Sequence, residues 1–149
     1  MRKHGDKTMT ILTLAQANTI ITTALAEARK ANYKAMAVVV LDAAGHVKAV
    51  QREDGASMFR VDVATGKAWA AVGMDASSRV LAERAKGNPN FFNALAATAQ
   101  GRFLPQPGAV VIKNASGAII GAAGASGGTG DEDEAICIAG IAAAGLQHG

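Results

Sequence analysis

Apolar positions recur at helical spacing from the fourteenth residue onward. Leu14, Ala17, Ile21, Leu25 and Ala28 form one stripe, which predicts a helix over Leu14–Lys30. Thr13 and Gln16 have capping-box spacing, so each side chain can satisfy a free backbone donor at its start. Met36–Leu41 is an unbroken, valine-rich apolar run and predicts a strand buried on both faces. Asp42–Gly45 reads as a turn and His46–Gln51 as the returning strand of a β-hairpin, broken by Arg52–Gly55. A second helix is expected over Met58–Val72, capped by Ser57, with Met58, Val61, Ala68 and Ala71 inward and Gly66 interrupting it. Two shorter helices follow, Ser78–Lys86 and Pro89–Ala99, the latter stopped by Gly101. Ala109–Lys113 and Ala118–Ala125 form a second hairpin about Asn114–Gly117. A last helix runs over Asp131–Leu146. The order helix, hairpin, helices, hairpin, helix predicts an α/β (α+β) fold with an antiparallel sheet and helices packed against it.

Composition adds scale. At 149 residues the chain fits one domain. Aromatics are only 4% while glycine and alanine abound, which favours close approach between elements and extensive contact between subunits. Of the net charge of +3, much lies in the first ten residues, where Arg2, Lys3 and Lys7 face only Asp6. Residues 1–10 have no apolar periodicity and are expected to be a disordered extension, with 11–149 as a single domain. Without them the chain is nearly neutral, which argues against nucleic acid as a partner. No stretch has the length of a membrane helix and no secretory apolar run is present, so a cytoplasmic location is expected. Cys137, the only cysteine, sits in an apolar run and reads as a buried thiol.

Three places carry candidate chemistry. Gly124–Gly130 follows a strand and precedes a helix, a position where free N–H groups attract anions. The acids Asp131, Glu132, Asp133 and Glu134 come next and oppose a phosphate there. They either complement the helix dipole, or one of them turns inward as a base, metal ligand or orienting group. Asp131 and Glu134 share a face, and Asp133 points elsewhere. Arg52, at a strand end, can clamp a carboxylate with its planar fork or pair with Glu53 or Asp54. Lys67, flanked by small apolar residues two turns after Arg60, either snorkels to water or sits in a pocket as a cation. The histidines carry less. His4 and His148 fall in expected tails, His46 in an exposed turn, and no pair has metal-ligand spacing, so no metal site is expected. Trp69 and Phe59 read as packing residues.

Taken in order, Val38-Val-Val-Leu-Asp42-Ala-Ala-Gly45-His46, Arg52-Glu-Asp-Gly55-Ala56, Lys67-Ala68, Gly121-Ala-Ala-Gly124-Ala-Ser126-Gly127-Gly128 and Asp133-Glu134 resemble the GlcG/HbpS-like family, to which the C-terminal domain of PduO-type proteins also belongs. The likeness spans about Thr10 to Leu146. It implies a profilin-like three-layer α/β/α fold with a central antiparallel sheet, and homo-oligomers from dimers to octamers. It implies haem or a related tetrapyrrole as ligand in some relatives, and roles in organic-acid catabolism for others. The motif positions Asp54, Gly55, Ser126 and Gly127 join Arg52 as candidate ligand-binding residues.

Two functions follow. The first is an oligomeric binding protein for haem or another small-molecule ligand, although no helix carries an evident histidine to ligate the iron. The second is an enzyme acting on a small organic acid, with Arg52 and Lys67 as anion holders and Asp133 as base or orienting group. Lys67 and Asp133 are its candidate catalytic residues. A module with no ligand, built for assembly, is a third.

Overall fold

The computed structural model describes residues 11–149. The extension expected over residues 1–10 lies outside them. Helix α1 (Leu14–Lys30) begins with the anticipated reciprocal cap: the Thr13 hydroxyl accepts from the Gln16 N–H, and the Gln16 amide accepts from the Thr13 N–H. Strands β1 (Ala37–Asp42) and β2 (Val47–Arg52) form the first hairpin. Helices α2 (Phe59–Met74), α3 (Ser78–Gly87) and α4 (Pro89–Thr98) follow. Strands β3 (Ala109–Lys113) and β4 (Ile119–Ser126) form the second hairpin, α5 spans Gly130–Ala143, and a two-residue strand β5 (Gln147–His148) closes the chain.

The five strands make one antiparallel sheet in the order β2-β1-β4-β3-β5. β4 thus lies between β1 and β3, with Val39 opposite Gly124 and Ala37 opposite Ser126. Alternation along β1 sends its valines to two cores. Val38 and Val40 pack with Ile20, Ile21 and Ala24 of α1 and Ile136, Cys137 and Ile141 of α5. Val39 and Leu41 pack with Ala64, Ala68 and Ala71 of α2. The result is the three-layer α/β/α arrangement that the resemblance implied. A third cluster joins Leu81, Phe92, Ala99 and Phe103 around α3 and α4.

Glycine sets two of the contacts between layers. A Cβ on Gly140 of α5 would lie 2.3 Å from the Ile20 carbonyl oxygen of α1, and one on Gly124 would lie 2.4 Å from the Ala64 carbonyl oxygen of α2. Neither distance is sterically accessible, so these helices sit closer than any side chain there would allow. Gly66, anticipated as an interruption of α2, is a third close approach: its carbonyl accepts from the Leu104 N–H, and its absent Cβ leaves room for the backbone at Arg102.

Several details of the sequence reading change. Met58, expected inward, is exposed at 74%, and Leu14 of the α1 stripe at 55%, while Ile20 and Ala24 complete the buried face of α1. Ser57 does not cap α2; its hydroxyl accepts from Arg60 instead. The last helix ends at Ala143, because Gly145 takes a φ of 75° and turns the chain back onto β3. His148 is therefore in an edge strand opposite Ile112 rather than in a tail.

Candidate functional site

On α2, residues 60, 63 and 67 fall on one face, as three- and four-residue steps require. That face meets the end of β4 and the start of α5. There Arg60, Val63, Lys67, Gln106, Pro107, Ser126, Gly128, Thr129, Gly130, Asp131 and Asp133 line a hollow of about 360 Å³. This is near the lower end of the range for small-molecule sites.

Lys67 does not snorkel. It is 6% exposed, and its Nζ lies 3.1 Å from Asp133 Oδ2 and donates to the Ala125 carbonyl at 3.2 Å. An ammonium has three donors. Two are used, and the third remains for the hollow that Lys67 lines. Room for the ammonium comes from Gly108, at a φ of 133°, where a Cβ would stand 2.6 Å from Nζ. Asp133 is 1% exposed, and its other oxygen, Oδ1, accepts from the Gly128 N–H at 2.9 Å. Burial holds the Asp133 carboxyl above the usual carboxylate range, while the Lys67 ammonium, the Gly128 N–H and the Arg60 guanidinium oppose that rise.

The four acids of α5 divide as their spacing requires. Glu132 accepts from the Thr129 N–H while the Thr129 hydroxyl accepts from the Glu132 N–H, closing a capping box. Asp131 and Glu134 turn outward, and both pair with Arg79 of α3. Only Asp133 turns inward. One turn further, Cys137 is buried with its thiol pushed up by burial and next by the Asp133 charge, so it is inert rather than nucleophilic.

Arg60 is bonded to hydroxyls alone. Its Nε donates to the Ser57 hydroxyl at 3.2 Å and one terminal nitrogen donates to the Ser126 hydroxyl at 3.1 Å. Among the described residues no carboxylate lies within ion-pair distance of it. With Lys67 and Asp133 balanced, and Asp131 held by Arg79, the hollow carries a net positive charge at Arg60. It also carries the amino-terminal end of the α5 dipole.

The candidate residues fall into two groups. Lys67, Ser126 and Asp133 line this hollow. Gly127 forms the turn behind it, at a φ of 151°, where a Cβ would meet the Ala35 carbonyl oxygen. Arg52 and Asp54 line a separate hollow with Arg29 and Glu53, and Gly55 makes the adjoining turn at a φ of 85°. Arg52 pairs with neither Glu53 nor Asp54. It donates to the Ala56 carbonyl at 2.6 Å, and Glu53 is taken by Arg29 at 3.0 Å. Arg60, Gln106 and Pro107 were not singled out from the sequence. The seven-residue spacing of Arg60 and Lys67 was the available signal for the first.

A family model for haem-degrading HbpS-like proteins matches residues 12–142. The chain belongs to the HbpS-like family. No curated protein matches it. Among solved structures, HbpS is 30% identical over 89% of each chain with a TM-score of 0.77, and a double mutant of Streptomyces reticuli HbpS is also 30% identical, over 89% of this chain and 86% of that one, with a TM-score of 0.76. The Klebsiella pneumoniae protein ORFY is 25% identical over 90% of each chain, with a TM-score of 0.81. The HbpS-like fold is also shared with PduOC, crystallised as a haem complex: 24% identity, 91% of this chain and 96% of that one, TM-score 0.82. Within the described residues of this HbpS-like chain, no helix is long and apolar enough to cross a membrane.

Proposed function

We propose that this HbpS-like protein binds a small carboxylate-bearing ligand in the hollow between α2, β4 and α5. The observation that carries this reading is Arg60, a cation lining the hollow and bonded only to two hydroxyls. A guanidinium presents a planar fork that matches a carboxylate, and its desolvation is best offset by an anion. Arg60 takes the anion-holding place expected of Arg52. The free Lys67 donor and the Ser126 hydroxyl supply further polar contacts, and Asp133 orients a ligand hydroxyl or accepts its proton.

A second reading, haem or another tetrapyrrole, is favoured by the family and by the relative crystallised with haem. The hollow itself does not fit that group. Among its described lining residues there is no histidine, cysteine, methionine or tyrosine, the usual axial ligands of haem iron. Its volume also suits a small metabolite rather than a macrocycle. A tetrapyrrole would therefore use another surface of the chain. Assembly into homo-oligomers, from dimer to octamer, belongs to the family reading.

Calorimetric titration with acetate, pyruvate and succinate, beside a hemin titration followed in the Soret band, separates the two. Saturable carboxylate binding that weakens with added salt is the expected result. Tight hemin binding with no carboxylate binding would overturn the first reading in favour of the second.

A further inference from the structure

Asp131 raises a difficulty for an anion in this hollow. It also lines the hollow, and its side chain is 82% exposed, so a carboxylate bound there faces a negative charge as well as the Arg60 cation. Arg79 of α3 answers that charge. Its guanidinium bonds Asp131 and, at 2.9 Å, Glu134, so it spans the two outward-facing acids of the first α5 turns. No other cation pairs with either acid among the described residues.

Resting on the carboxylate-binding reading, we propose that Arg79 is an electrostatic gate residue, which neutralises Asp131 and so sets the preference of the hollow for anions. It touches no ligand and acts through Asp131. Stability is not its main role. Arg79 and Asp131 are both well exposed, and such pairs contribute little to folding. α5 is anchored independently of Arg79, by the Thr129–Glu132 capping box, by Asp133 on Lys67 and by its apolar face on α1. A charge lining the hollow, by contrast, acts on every anion that binds there.

Succinate titration of four proteins at low salt tests this: the wild type, Arg79→Gln, Asp131→Asn and the double variant. Arg79→Gln is expected to weaken succinate binding about threefold to tenfold, the effect of one unscreened like charge a few ångströms away. Asp131→Asn in the same chain is expected to restore it, and added salt to shrink the difference. Rescue separates the gate from a merely structural clamp, because the double variant still lacks every Arg79 bond. Unchanged succinate affinity in Arg79→Gln, or a loss that Asp131→Asn does not rescue, would overturn the proposal while leaving the carboxylate site intact. No succinate binding by the wild type would overturn both.

Discussion

Lys67 and Asp133, 66 residues apart in the chain, meet at 3.1 Å between the two helical layers, each less than a tenth exposed. Neither is left with a bare charge: the ammonium also reaches the Ala125 carbonyl, and the carboxylate also takes the Gly128 N–H. The pair ties α2 to the start of α5 and forms the floor of the hollow whose open cation is Arg60.

Breaking this pair on one side strands a charge. Lys67→Met is expected to cost about 3–5 kcal/mol of folding stability near neutral pH, because Asp133 then stays buried without its counter-charge. Urea unfolding measures the loss. It should be smaller at about pH 4, where Asp133 can take up a proton instead. An equal loss at both pH values would show that packing, not charge, dominates.

The raised pKa of Asp133 has a defined sign. The folded state holds its proton more tightly than the unfolded state does, so the carboxyl favours folding most below the ordinary value of about 4. That contribution is lost as pH rises through the raised folded value. The stability of the wild type relative to Asp133→Asn should therefore fall as pH is raised from about 4, then level off. Urea unfolding at a series of pH values follows it; a relative stability that rises over this window would contradict the shift.

Much of the fold was legible in the sequence, for local reasons. The Thr13–Gln16 cap and the apolar run over Met36–Leu41 are short-range signals, and the elements they mark appear within a few residues of their expected bounds. The strand order was not legible, since the pairing of β1 with β4 depends on contacts some 80 residues apart that no local pattern encodes. β5 was hidden for another reason: two residues cannot display an alternation. At the site, Asp133 was separable from its acidic neighbours by helical spacing and the family motif. Arg52 was grouped with Lys67 as an anion holder, but a motif order along the chain carries no distances, and the two line different hollows. Arg60 was passed over because its distinction, a cation bonded to hydroxyls alone, exists only in three dimensions.

Close contact between α1 and α5 rests on Gly140. Gly140→Ala places a methyl where the Ile20 carbonyl oxygen stands and is expected to cost about 1–3 kcal/mol, by forcing the helices apart. Alanine would otherwise favour the helix by about 1 kcal/mol over glycine. A thermal unfolding scan that finds the variant more stable would mean that this contact has room to relax.

Arg60 is the group on which anion binding in the hollow depends. The most direct measurement is an acetate titration of the wild type and of Arg60→Gln, followed by the amide shift of Gly128, which lines the hollow and donates to Asp133. The wild type should show a saturable shift, and Arg60→Gln should need at least about tenfold more acetate, as the loss of a charge-assisted hydrogen bond implies. The same titration curve from both proteins would contradict the account.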